Sequence, residues 1–235
     1  MLCKTSILLA GAFALSALAA PIPGDCPDAH HEDTPAYTTP NTHSNNGSTG
    51  SITAALLTQI APETASCSGA PFPEECADAT AAATALNKSF DKYGIKTAGE
   101  KAALVAYTLF ESGNYKYKKN HFPGRPGQGT RMMAMPPFIA KYATAVAGAD
   151  AVAKASAAGG DAGLVAVLDL VNNDDEKSFG SAAWFYSTQC SADVKAGVAA
   201  ETVNGWHNFL TACVGTTLDE TRDTPWVAAK AAILA

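Results

Sequence analysis

Beyond its first twenty residues the chain has no apolar run long enough to cross a bilayer, which excludes a spanning helix from the body of the protein and a membrane as its partner. It has no Cys-x-x-Cys, and His30-His31-Glu32-Asp33 lies in a low-complexity tail away from any close cysteine pair, so no zinc spacing emerges. No phosphate loop, dinucleotide fingerprint or Ser-His-Asp arrangement stands out, and neither a cofactor nor a metal is expected. Strand-forming stretches are scarce, and no internal repeat is found. Only 16% of residues are charged, with a formal net charge of -6, a balance that argues against nucleic acid. From Ser112 to Ala149 there is no acid at all, whereas Lys116, Lys118, Lys119, Arg125, Arg131 and Lys141 are basic. Such a surface suits an anionic polymer.

What is present begins with a leader. Lys4 precedes the apolar run Ile7 to Leu18, and Ala17-Leu18-Ala19 is an A-x-A cleavage signal, so residues 1–19 read as a secretory signal peptide. The protein is therefore expected to be secreted and extracellular. Residues 20–50, rich in Pro, Thr, His, Asn, Ser and Gly, bury too little apolar surface to offset their ordering entropy and read as a disordered tail or pro-segment. Residues 51–235 then suffice for one core but not for two ordinary domains. In an oxidising compartment the close cysteine pairs are the natural bridges, Cys67 with Cys76 and Cys190 with Cys213, leaving Cys26 odd. The sequons Asn46-Gly47-Ser48 and Asn87-Lys88-Ser89 permit glycosylation.

Helical periods dominate the domain. Ser51 is placed to cap a short helix through Ile60, an Ala-rich helix runs from Glu74 to Tyr93, and Thr97-x-x-Glu100 is a capping box opening a helix to Glu111. Gly113 suits its left-handed C-terminal cap. The segment 114–131, rich in Gly, Pro, Tyr and basic residues, reads as an exposed hairpin or loop. Helices follow from Pro136 to about Val146, from Ala162 to Val171 behind Asp161, and from Ser178 to Gln189. Others are expected over Ser191–Val198 and Ala200–Val214, with Trp206 and His207 as core or lid residues. A last one opens at Thr224-Pro225, with Pro at its first position. The fold expected is mainly α, with a small β-hairpin after the Glu111 helix.

Glu111 ends the apolar stretch Leu104 to Phe110, and an apolar wall disfavours the charged form of a carboxyl, which is how a general acid is made for near-neutral pH. Tyr117, Gln128, Thr130 and Arg131 in the hairpin, and Trp184 and Tyr186 in the later helix, supply the hydroxyl, amide, cationic and flat aromatic groups that bind sugars.

Glu111-Ser112-Gly113 followed by Gly127-Gln128-Gly129-Thr130 resembles the E-S…G-x-x-Q arrangement of goose-type lysozymes and lytic transglycosylases. Ser181-Ala182-Ala183-Trp184-Phe185-Tyr186 is similar to the S-A-x-W-F-W helix of plant-type chitinases, whose E-T-G-H sequence is absent because Asn114 follows Gly113. The resemblance implies a secreted fungal muramidase with a lysozyme-like fold, acting as a monomer on the polysaccharide of bacterial peptidoglycan. Glu111 would be the acid that protonates the leaving oxygen. A chitinase or chitosanase of the same superfamily, or a non-catalytic wall-binding protein or effector, are the alternatives. No motif locates a second carboxylate; Asp174, Asp175 and Glu176 are the candidates, with Asp169 read as a helix-surface residue.

Overall fold

The computed structural model describes residues 50–235. The leader, the tail with its histidines, Cys3, Cys26 and the Asn46 sequon lie outside the described residues. Ten α-helices fill most of the rest: α1 (Ala54–Ile60), α2 (Ala79–Tyr93), α3 (Ala98–Glu111), α4 (Pro136–Ala147), α5 (Ala149–Ser156), α6 (Gly160–Asn172), α7 (Asp175–Gln189), α8 (Ala192–Ala199), α9 (Val203–Asn208) and α10 (Glu220–Ile233). A 3-10 turn follows α1 and a π turn, Phe209–Val214, follows α9. No helix among the described residues is long and apolar enough to cross a membrane.

The core is organised around α3. Every residue from Ala98 to Leu109 is buried except Glu100, so this mostly apolar helix is covered on nearly every side by others. Its largest contact is with α10, with α8 and α7 adding further sides. Meanwhile α2 packs along α7, and α4, α5 and α6 form a neighbouring cluster. Tyr107 and Phe209 meet edge to face, as do Tyr186 and Phe209, tying α3, α7 and the π turn together.

Local chemistry fixes most helix starts. The capping box at α3 is complete: Thr97 Oγ1 accepts from the Glu100 N–H at 3.2 Å and Glu100 Oε2 accepts from the Thr97 N–H at 3.0 Å. Asp78, rather than Glu74, opens α2 by accepting from the Thr80 and Ala81 N–H groups. Thr53, not Ser51, caps α1. Asp174 and Ser191 cap α7 and α8 in the same manner.

Two expectations need correction. The β-hairpin is not formed: between residues 117 and 135 only two isolated antiparallel bridges occur, Lys119 with Gly129 and Gly129 with Ala134. Pro123 and Pro126 remove ladder donors. Thr130 and Met133 adopt positive φ, which breaks the pleat. The last helix starts a turn before Thr224. Asp219 accepts from the Thr221 N–H at 2.8 Å and caps it there, so Pro225 lies inside the helix rather than at its first position.

The two disulfides form as paired in the sequence reading, Cys67–Cys76 and Cys190–Cys213. Asn87 of the second sequon is committed to structure. Its amide donates to Ile52 O at 2.7 Å and Ala83 O at 2.9 Å, and its Oδ1 accepts from the Ile52 N–H.

A candidate acid-base cleft at the end of helix three

The end of α3 determines where Glu111 points. Ser112 is fully buried and its hydroxyl donates back to Thr108 O at 2.6 Å while accepting from the Tyr115 N–H. Gly113, Asn114 and Tyr115 then take left-handed conformations in succession, with φ of 55°, 56° and 63°. For Asn114 and Tyr115 this conformation costs of the order of 1–3 kcal/mol each and needs an external hold. Arg131 provides it. Its guanidinium, fully buried, donates through Nη1 to Tyr115 O and Tyr117 O at 3.0 Å each. Nη2 reaches Asp175 at 3.3 Å, and the group lies over the Phe179 ring at 4.8 Å. The chain thereby reverses and brings residues 117–121 back across the end of α3.

A second buried anchor pins that returning segment. Glu75, 3% exposed, accepts from the Lys118 and Lys119 N–H groups at 2.9 and 3.1 Å, and its other oxygen lies 2.9 Å from His121 Nε2. His121 stacks flat on Phe72 with ring centres 3.6 Å apart. Glu75 is next to Cys76, so the Cys67–Cys76 bridge fixes the carboxylate that shapes the loop.

The result is a cleft of about 230 Å³ with Glu111 in its wall, facing Tyr117, Lys119, Asn120, His121 and Gln128, with Phe122 and Met133 at the margin. The Asn120 amide donates to Gln128 Oε1 at 2.8 Å, and the Gln128 amide donates to Met133 O at 2.9 Å, so both polar groups are held in place. Glu111 is mostly buried. Burial raises its proton affinity, and an ion pair with Arg222 of α10 opposes that without cancelling it, leaving its pKa above the ordinary carboxyl value. Larger hollows of about 670 and 530 Å³ lie against α6 and α10, but Glu111 lines neither.

The site residues named from sequence separate into two groups. Glu111, Tyr117 and Gln128 line one cleft. Thr130, Arg131, Trp184 and Tyr186 do not. Thr130 is buried with its hydroxyl 2.8 Å from that of Ser181, and Arg131 is the internal clamp described above. Trp184 packs against Tyr142, and the Tyr186 hydroxyl lies 3.2 Å from Glu100. The candidate second carboxylates are also engaged elsewhere. Asp174 caps α7 and pairs with Lys177, Asp175 pairs with Arg131, and Glu176 with Lys88; Asp169, read as a helix-surface residue, is half exposed on α6 and pairs with Lys119. Three cations of the acid-free segment are likewise occupied, since Lys116 donates to backbone carbonyls, Lys119 meets Asp169 and Arg131 is internal. Arg222, Glu75, Asn120 and His121 were missed. Only Glu75 carried a signal, its place beside a bridged cysteine; nothing local links Arg222 to Glu111, 111 residues away.

These features define a mainly helical protein with a cleft built on one protonation-prone carboxyl. No protein-family profile matches the chain, and no solved structure matches it. Over 159 residues, 65% of its length, the chain is 36% identical to a bifunctional dioxygenase (DOX)-epoxy alcohol synthase (EAS) of Fusarium oxysporum (strain Fo5176). The match spans 12% of that relative. This finding overturns the glycosidase reading. The similar protein is named for an oxidative enzyme and not for a hydrolase or muramidase acting on peptidoglycan, nor for a chitinase. The physical reason the motif misled is that E-S-G and G-Q-G-T describe a helix end and a loop. Those are local geometries, and the chemistry performed there depends on what binds.

Proposed function

We propose that the Glu111 cleft is an acid-base site that binds an uncharged, oxygen-bearing ligand and donates a proton to one of its oxygens. We further propose that it serves oxidative metabolism, on an epoxide- or hydroxyl-bearing compound of the kind the Fusarium relative is named for. The observation that carries the reading is Glu111 itself, a carboxyl whose burial favours the protonated, hydrogen-bond-donating form. Beside it, two ordered amides and a phenol offer neutral hydrogen-bonding partners. The relative supports the oxidative context. Because the chain matches a small part of that protein, its activity and substrates enter here as proposals only. A polysaccharide, the partner expected from sequence, presents similar ether and hydroxyl oxygens to such a donor. The Glu111 helix end facing a Gly/Gln loop supports a lysozyme-like arrangement, proposed as architecture alone. The two disulfides support export to an oxidising compartment.

Calorimetric titration with an epoxy alcohol, and with a soluble amino-sugar oligomer, tests the reading. Affinity is expected to fall as pH rises through the Glu111 titration, because the carboxyl loses its donor. Glu111→Gln, whose amide donates at every pH, is expected to bind with a flat profile. Failure of both ligands to bind, or a flat profile in the native protein, would overturn it.

A further inference from the structure

Glu111 and Arg222 come from distant parts of the sequence, the last residue of α3 and the first turn of α10, and meet at the cleft wall. Their side chains are 18% and 16% exposed. The bond joins Arg222 Nη1 to Glu111 Oε1, and no donor among the described residues engages Oε2. Arg222 is also fixed independently of Glu111. Its guanidinium lies 4.3 Å over the Phe110 ring. The next residue, Asp223, accepts from Trp206 Nε1 at 2.8 Å and lies 3.0 Å from His207 Nε2, which anchors this turn to α9.

We propose that Arg222 is the positioning residue of this site: it grips one oxygen of Glu111 and leaves the other for the ligand, so that α10 fixes both the orientation of the carboxyl and its readiness to release a proton. The inference rests on reading Glu111 as the proton donor. A planar, permanently charged guanidinium suits this task, since it cannot lose its charge and its orientation is set by the ring below. The other titratable groups around Glu111 are Tyr107 on its own helix, and Tyr117, Lys119 and His121 on the returning loop. Tyr107 is buried and its pKa is driven well above the ordinary phenol value, by burial first and by Glu111 second, so it stays neutral beside the pair. Arg222 is thus the cation hydrogen-bonded to the carboxyl.

The test reads the carboxyl directly, with no ligand present. Protein carrying carbon-13-labelled glutamate is titrated by NMR, with the Glu111 signal assigned by its loss in Glu111→Gln. In Arg222→Gln the Glu111 midpoint is expected to move to higher pH, and in Arg222→Lys to return part of the way. Phe110→Leu, which keeps Arg222 but removes the ring beneath it, is expected to move the midpoint in the same direction and covers the case in which Arg222→Gln does not fold. An unchanged midpoint in whichever of these variants gives a native-like thermal transition overturns the proposal. The functional reading fails separately, by absence of pH-dependent ligand binding in the native protein.

Discussion

At the residue scale, two charged side chains carry opposite lessons. Arg131 offered itself as a ligand-binding cation in a basic segment, yet it is fully buried and clamps a left-handed turn. Its replacement by Met would leave Tyr117 O without this donor, Tyr115 O with the Ala77 N–H alone, and Asp175 without its partner. We expect a loss of about 1–3 kcal/mol in urea unfolding, the size associated with a buried hydrogen-bonding group left without its partner, because Asp175 itself is 39% exposed and is rehydrated when the guanidinium is removed. Glu111 works in the other direction. Its pKa is raised in the folded protein, so its contribution to stability is fully present below the unfolded carboxyl value and is lost as pH rises through the folded one. Measured across that window, the melting temperature of the native protein should fall relative to that of Glu111→Gln. A widening advantage for the native protein with rising pH would contradict the balance of burial over Arg222. The acid was legible because an apolar run ending in Glu-Ser-Gly is a local pattern. Arg222 was not, because its position depends on how α10 lies along α3.

At the scale of elements, the capping box of α3 was legible, while other caps and the contacts were not. Thr97 and Glu100 act within three residues of each other, so the sequence pattern already contains the bonds, whereas Thr53 and Asp219 cap the helices that Ser51 and Thr224 were expected to open. The hairpin was expected from composition alone, whereas Pro and left-handed residues deny the segment a ladder and leave it a loop. Close helix approaches were also invisible. A Cβ on Gly205 of α9 would lie 1.9 Å from the Gly197 carbonyl oxygen of α8, while one on Gly197 would meet Gly205 Cα at 3.3 Å. Gly205→Ala should therefore cost about 1–3 kcal/mol or more as the helices are forced apart, and Gly197→Ala should cost less. Thermal unfolding of the two variants side by side checks the order.

Across the whole molecule, the two disulfides divide the labour. Cys190–Cys213 closes a span of 23 residues and Cys67–Cys76 one of 9, so chain entropy favours the longer bridge by about 0.8 kcal/mol. Removing it by double Ala substitution should lower unfolding free energy by about 2–4 kcal/mol and leave the cleft unchanged. Removing Cys67–Cys76 should instead free Glu75 and loosen residues 118–121. Faster amide hydrogen exchange at Lys118 and Lys119 is the expected sign, and unchanged protection there would refute the anchoring role of Glu75.

The sequence by itself determined that the protein is mainly helical, where the Glu111 helix begins and ends, which cysteines pair, and that one carboxyl ends an apolar helix. All of these are set by neighbours within a few residues or, for the bridges, by short spans of chain. Tertiary structure alone decided that Arg131 is a clamp rather than a ligand contact, that Glu75 shapes the loop, and that Arg222 holds Glu111. Those outcomes depend on which surfaces lose water together when distant helices pack. The helix that carries Glu111 and the guanidinium that restrains it are 111 residues apart in the chain, so no local pattern contains the balance between burial and charge.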